Sequence, residues 1–199
     1  MKILKNKKQQ KQSGFNLMEL LFSLVVIGGM VVGIVAMYNK NQATSNSKTV
    51  AQDIQTISSG VKTLYASSTS GFDTLNTATV VNAGIAPKTL VTNASTGKIT
   101  NKYNGDVTIT PGAAVDGYYP SFMITEAKLP TEVITKAVGQ LGTEGILSIA
   151  VGADCIFSTG TTGADVTSSS CASAKSYDAA TLASAAAKTD PILSVAFSQ

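Results

Sequence analysis

Few side chains in this sequence could carry chemistry. Cys155 and Cys171 could bridge or act as thiols, and Glu19 is a carboxylate at the edge of a long apolar run. Ser45-Asn46-Ser47-Lys48 has the S-x-x-K spacing of a serine nucleophile with a lysine base. Each of these needs partners that are scarce. Histidine is absent, which removes Ser-His and Cys-His pairs and the ordinary zinc site. All 15 basic residues are lysine, so no guanidinium is available to grip phosphate or guanine with two hydrogen bonds. Neither K-T-G nor S-D-N follows the S-x-x-K, which makes that match a coincidence. Gly97-Lys98 lacks the first glycine of a phosphate-binding loop, because Thr92 stands there. Asp154 and Asp165 are two scattered, solvated carboxylates rather than a calcium loop. No enzyme centre, metal or cofactor is expected. With 21 Ser and 24 Thr against 14% charged residues, the surface is rich in hydroxyls and weakly charged.

The elements that position these residues start with an uneven charge distribution. Lys2, Lys5, Lys7, Lys8 and Lys11 precede Phe15 with no acid among them. The remainder has 10 Lys against 12 acids, so the basic balance belongs to the N-terminal tag, and direct nucleic-acid binding is not expected. Leu20 to Tyr38 then runs 19 residues without a charge. As a helix that run spans ~28 Å, about the thickness of a bilayer's hydrocarbon core. The lysines on its N-terminal flank place that end in the cytoplasm and the rest of the chain outside. A cleaved secretory signal would have a shorter apolar core and a small-x-small site after it, for which only Ala43-Thr44-Ser45 is available. Glu19 is costly at the edge of such a span unless it sits at headgroup level or meets a cation.

A lysine-rich tag, then Ser13-Gly14-Phe15, then Glu19, then an uninterrupted apolar helix resembles the class III signal of type IV prepilins. The resemblance implies cleavage between Gly14 and Phe15 by a prepilin peptidase, and N-methylation of the new Phe15 amine. Cutting before the apolar segment keeps the helix as an anchor, and Gly14 presents no side chain to a narrow protease site. The resemblance also implies that Glu19 meets the N-terminal amine of a neighbouring subunit. In a low-dielectric filament core that pair offsets two desolvation costs and sets the axial register. Gly28, Gly29 and Gly33 lie inside the span. Gly29 and Gly33 form a small-xxx-small pair that permits close helix approach, and Gly28-Gly29 is where any melting on assembly would centre, unless the glycines are merely tolerated. The 14-residue leader, the mature length of 185 and the segment 124–138 are similar to the type IVb subclass, which includes enteric bundle-forming pilins and conjugative thin pili.

Beyond Tyr38 the helix is expected to continue to about Ala66. Val50, Ile54, Ile57, Val61 and Leu64 make an apolar stripe facing a globular head, ended by Ser67-Ser68-Thr69-Ser70-Gly71. From Phe15 that is ~78 Å of helix, more than one such domain can bury, so the front half is expected to meet lipid or other copies. Short helices are expected at 74–83, 130–141 and 178–187. Strands are expected at 98–103, 106–110, 119–125, 145–151 and 192–197, with a type I′ turn at Asn104-Gly105. The fold class is therefore α+β: a long N-terminal helix packed on an antiparallel sheet, with a C-terminal disulfide-bonded region. In an exported domain Cys155 and Cys171 read as a disulfide closing about 17 residues and worth ~3 kcal/mol, two separate buried thiols being the alternative. The resulting organisation is 1–14 basic leader, 15–38 hydrophobic anchor and polymerisation helix, 39–66 amphipathic half of the helix, and 67–199 globular head.

The expected function is the major structural subunit of a type IV pilus. It begins as an inner-membrane precursor and becomes an extracellular filament for attachment, aggregation or conjugative mating. Its partners would be other copies of itself, the prepilin peptidase and methyltransferase, the pilus assembly machinery, and a recipient or host cell surface. A minor pilin, a type II secretion pseudopilin and a membrane-anchored periplasmic binding protein are the alternatives.

Overall fold

The computed structural model describes residues 16–142, 145–152, 172–174, 179–187 and 190–198. They belong to two compact units, one ending at Asn41 and the other beginning at Gln42. Helix α1 runs unbroken over Leu17–Leu64. No proline interrupts it, and Asn16 accepts the first backbone bonds, from Glu19 N–H at 2.8 Å and Leu20 N–H at 3.2 Å. In the first unit every large apolar side chain from Leu17 to Tyr38 is exposed.

In the second unit the sequence pattern changes from apolar all round to a stripe. Val50, Ile54, Ile57 and Val61 are buried in the core. The stripe does not end on Leu64 as expected. Leu64 is 45% exposed and Tyr65 takes the inward place at 7%. A step of four from Val61 keeps to the buried face, whereas a step of three turns off it as the last turn loosens into Ala66 and Ser67. The Tyr65 ring then meets Phe72 at 5.5 Å, Phe72 meets Phe122 at 4.7 Å edge-on, and Phe122 stacks on Phe197 at 5.3 Å. This chain of rings ties the end of α1 to the middle of the sheet.

The sheet is antiparallel with seven strands. They are β1 Val91–Asn93, β2 Lys98–Thr100, β3 Asp106–Pro111, β4 Ser121–Glu126, β5 Ile146–Gly152, β6 Ala172–Ala174 and β7 Ile192–Ser198. Their spatial order is β1-β2-β3-β4-β7-β5-β6, so the last strand lies near the middle. Its register pairs Ile124 with Val195 and Phe122 with Phe197 on one side, and Ile149 with Val195 on the other. Alternation puts Val107 and Ile109, Phe122 and Ile124, and Leu193, Val195 and Phe197 on the core face, while Asp106, Thr108 and Thr110 are exposed. The expected packing of a long helix on an antiparallel sheet is therefore found.

Three short helices complete the head: α2 Thr77–Asn82, α3 Thr131–Val138 and α4 Ala179–Ala186. α2 is shorter than its apolar pattern because Asn76 caps it, its Oδ1 accepting from Thr79 N–H at 2.8 Å. α3 starts one residue after Pro130, and its Val133, Ile134 and Ala137 are buried in the common core. Strands β1 and β6, three residues each, were too short to be read from periodicity.

Two turns differ from expectation. Asn104 has φ 58°, but the loop after β2 closes from Asn101 to Gly105 with Asn104 N–H donating to Asn101 C=O at 3.0 Å. It is a three-residue loop with one left-handed residue rather than a type I′ turn. The two-residue turn with both φ values positive occurs at Asp116 and Gly117, φ 51° and 82°, where Val115 and Tyr118 exchange both backbone bonds. Phe122, fully buried between two rings, gives the sharpest stability test: Phe122→Ala should cost about 3–5 kcal/mol, read from denaturant unfolding of the full chain in detergent.

Candidate assembly segment and the polar anchor of the head

The residues expected to drive assembly lie on the first unit. Glu19 is exposed on the first turn of α1, where the partial positive charge of the unbonded N–H groups favours a carboxylate. It is the one ionisable side chain from Leu17 to Tyr38 other than the Tyr38 phenol itself. Gly28, Gly29 and Gly33 are exposed, and a Cβ at any of them would meet open space. Nothing inside the chain therefore requires glycine there, and the helix stays intact through all three. By length and composition α1 can cross a membrane. Gly14, Phe15, Cys155 and Cys171 lie outside the described residues, so the cleavage junction and the disulfide region have no geometry here.

A second group of functional-looking residues sits on the head. Three polar side chains, Asn46, Asn101 and Glu126, join α1, the Asn101–Gly105 turn and the end of β4, and a fourth, Asp53, ties α1 to Thr89. Asn46 on α1 donates from Nδ2 to the Tyr103 hydroxyl at 2.8 Å. Asp53, also on α1 and 6% exposed, accepts from the Thr89 hydroxyl at 2.5 Å. Asn101 uses both ends of its amide: Oδ1 accepts from Tyr103 N–H at 3.0 Å and Gly105 N–H at 2.9 Å, and Nδ2 donates to Ala127 C=O at 2.9 Å. Glu126 ends β4 and is 1% exposed, with Asn101 Nδ2 3.4 Å from its Oε2. Gly105 completes the join, because a Cβ there would collide with the Ala127 carbonyl.

Burial dominates the electrostatics of this group. It raises the Asp53 carboxyl above its ordinary value, against the lowering effects of the Thr89 bond and the Lys102 charge. It lowers the Lys102 ammonium and raises the Tyr103 phenol. Glu126 is pushed up to about 8, first by burial and then by the charge of Asp53, with the Asn101 contact acting the other way. Sequence reasoning missed all four residues. The signal was present: Glu126 occupies the third place in the alternation Phe122, Ile124, Glu126, and Asp53 abuts Ile54 on the buried stripe.

A solved structure entitled "Crystal structure of type IV b pilin from Salmonella typhi" matches with a TM-score of 0.51 and 16% identity. The match covers 76% of this chain and 97% of that one, and the head with its long helix has the type IV pilin fold. Comparison with curated proteins gives no match. A family model described as PilS N terminal matches residues 44–186, more than two thirds of the sequence, so the chain belongs to that pilin family. The matched region falls within the second unit, and the apolar segment before it carries the motif already quoted.

The Asn46–Tyr103 bond is the direct polar tie between α1 and the turn. Tyr103→Phe should lower head stability by about 1 kcal/mol while leaving membrane insertion unchanged, as denaturant midpoints and membrane fractionation would report.

Proposed function

We propose that this pilin is the major subunit of a type IV filament and that its first unit is both membrane anchor and polymerisation helix. The observation that carries the proposal is the fully exposed apolar surface from Leu17 to Tyr38 with a single carboxylate, Glu19, on its first turn. A surface of that size leaves water only for lipid or for equivalent surfaces of other copies. Lipid would hold the precursor; other copies would hold the filament.

Processing supplies the cation. The peptidase cuts between Gly14 and Phe15, and the new amine, then methylated, is four residues before Glu19 in the sequence. An own-chain pair adds nothing to polymerisation, whereas a pair with a neighbour's amine selects the incoming subunit and fixes its height. Gly29 and Gly33, with open space where a Cβ would stand, let helices approach closely in either setting. The Cys155–Cys171 bridge staples the C-terminal region after export. Presence of Glu19 favours the major subunit over a minor one. The filament would serve attachment, aggregation or conjugative mating.

N-terminal sequencing of surface filaments should give Phe15 as the first residue, and a start at Met1 or after Ala43-Thr44-Ser45 would refute the reading. Glu19→Ala and Glu19→Gln should insert and be cleaved normally but yield few or no filaments by electron microscopy. Wild-type filament numbers in either variant would reduce Glu19 to an interfacial residue. Non-reducing mass spectrometry of exported protein should show Cys155 joined to Cys171, and Cys155→Ser should lower stability by about 3 kcal/mol.

A further inference from the structure

Glu126 stands where the sheet calls for an apolar side chain. Its cross-strand neighbours are Val107 on β3 and Leu193 on β7, both buried. An ionised carboxylate offers about four acceptor positions. Here Oε1 has no hydrogen-bond partner and Oε2 has one long contact, at 3.4 Å from Asn101 Nδ2. The charged groups around it do not compensate. Asp53 on α1 is a like charge acting on it, the charge of Lys102 in the turn acts on Asp53, and Lys128, two residues on, is exposed. Burying an ionised carboxylate in such surroundings is strongly unfavourable, whereas a neutral carboxyl loses far less hydration there.

We propose that Glu126 and Asn101 form a protonation-controlled fastener, which holds the Asn101–Gly105 turn against the core while the Glu126 carboxyl keeps its proton. The amide facing Glu126 is the same group that holds the Ala127 carbonyl and the Tyr103 and Gly105 N–H groups. A charge appearing on Glu126 is relieved by water reaching it, and water reaches it by lifting that amide and the turn. Because Tyr103 is bonded to Asn46, lifting the turn also loosens its hold on α1.

The sign follows from proton counting. The folded-state pKa of about 8 exceeds the ordinary 4.5, so between those values the closed state holds a proton that the open state releases. The closed state is fully favoured below pH 4.5 and loses up to tenfold in its equilibrium constant per pH unit up to about 8, then levels off. Asp53, also raised, acts in the same direction. Burial also lowers the Lys102 ammonium and raises the Tyr103 phenol.

Amide hydrogen exchange at Tyr103 and Gly105 tests the fastener in the full chain held in detergent micelles, after correction for hydroxide catalysis. In the wild type the opening constant should rise by up to tenfold per unit from pH 5 to 8, while in Glu126→Gln most of that rise should disappear. Asp53→Asn should move the levelling-off point to lower pH, because the like charge is gone. Identical pH profiles for the wild type and Glu126→Gln would overturn the proposal. Should Glu126→Gln fail to fold, carbon NMR of the wild-type Glu126 carboxyl decides: titration near 8 supports the fastener, and titration between 4 and 5 refutes it.

Discussion

Burial of one stripe of helix α1 governs the head. Val50, Ile54, Ile57, Val61 and Tyr65 enter the common core with strands β3, β4, β5 and β7 and with α3. At roughly 1.5–3 kcal/mol for each large buried side chain, this burial is a major favourable contribution to the head. The polar residues beside the stripe take their roles from it. Ser47 accepts from Gln140 at 3.1 Å, Gln55 donates to the Leu141 carbonyl at 3.2 Å, and Asn46 and Asp53 reach the turn and Thr89. They fix the rotation of a helix whose apolar contacts alone would tolerate a slip.

The same helix carries two different side-chain patterns. In its first unit the side chains are apolar all round and exposed; in the second they are apolar on one face only. The first pattern suits lipid or a bundle of equal helices, and the second suits a half-wetted domain surface. No break in the backbone separates them, so the change of setting is written entirely in side-chain type.

Much of this was legible. The period of the stripe, the breaker cluster after Ala66 and the apolar run are local signals, and each reads without knowledge of the fold. Four of the expected strands lie within two residues of β3, β4, β5 and β7, helped by the strong alternation in 106–110, whereas the expected strand 98–103 ends three residues earlier, at Thr100. Strand order was not legible, because pairing of β4 with β7 depends on side-chain fit across some seventy residues. The hairpin turn was assigned from Asn104-Gly105 alone, while the nearness of the Ala127 carbonyl, which requires Gly105, is a tertiary fact. The end of the stripe moved from Leu64 to Tyr65 for a similar reason: Phe72 and Phe122 supply the partner rings. The polar anchor was hidden because a lone Glu in a strand reads as an outward residue until its cross-strand neighbours are known.

The place of β7 has a consequence for how the protein is made. Residues 192–198 fill the gap between β4 and β5, so neither half of the sheet is closed until they arrive. Until they do, β4 and β5 each offer an open edge. Because β7 pairs with β4 across some seventy residues, its entry is a non-local step that costs more chain entropy than the local hairpins, and the two halves of the sheet join when it is made.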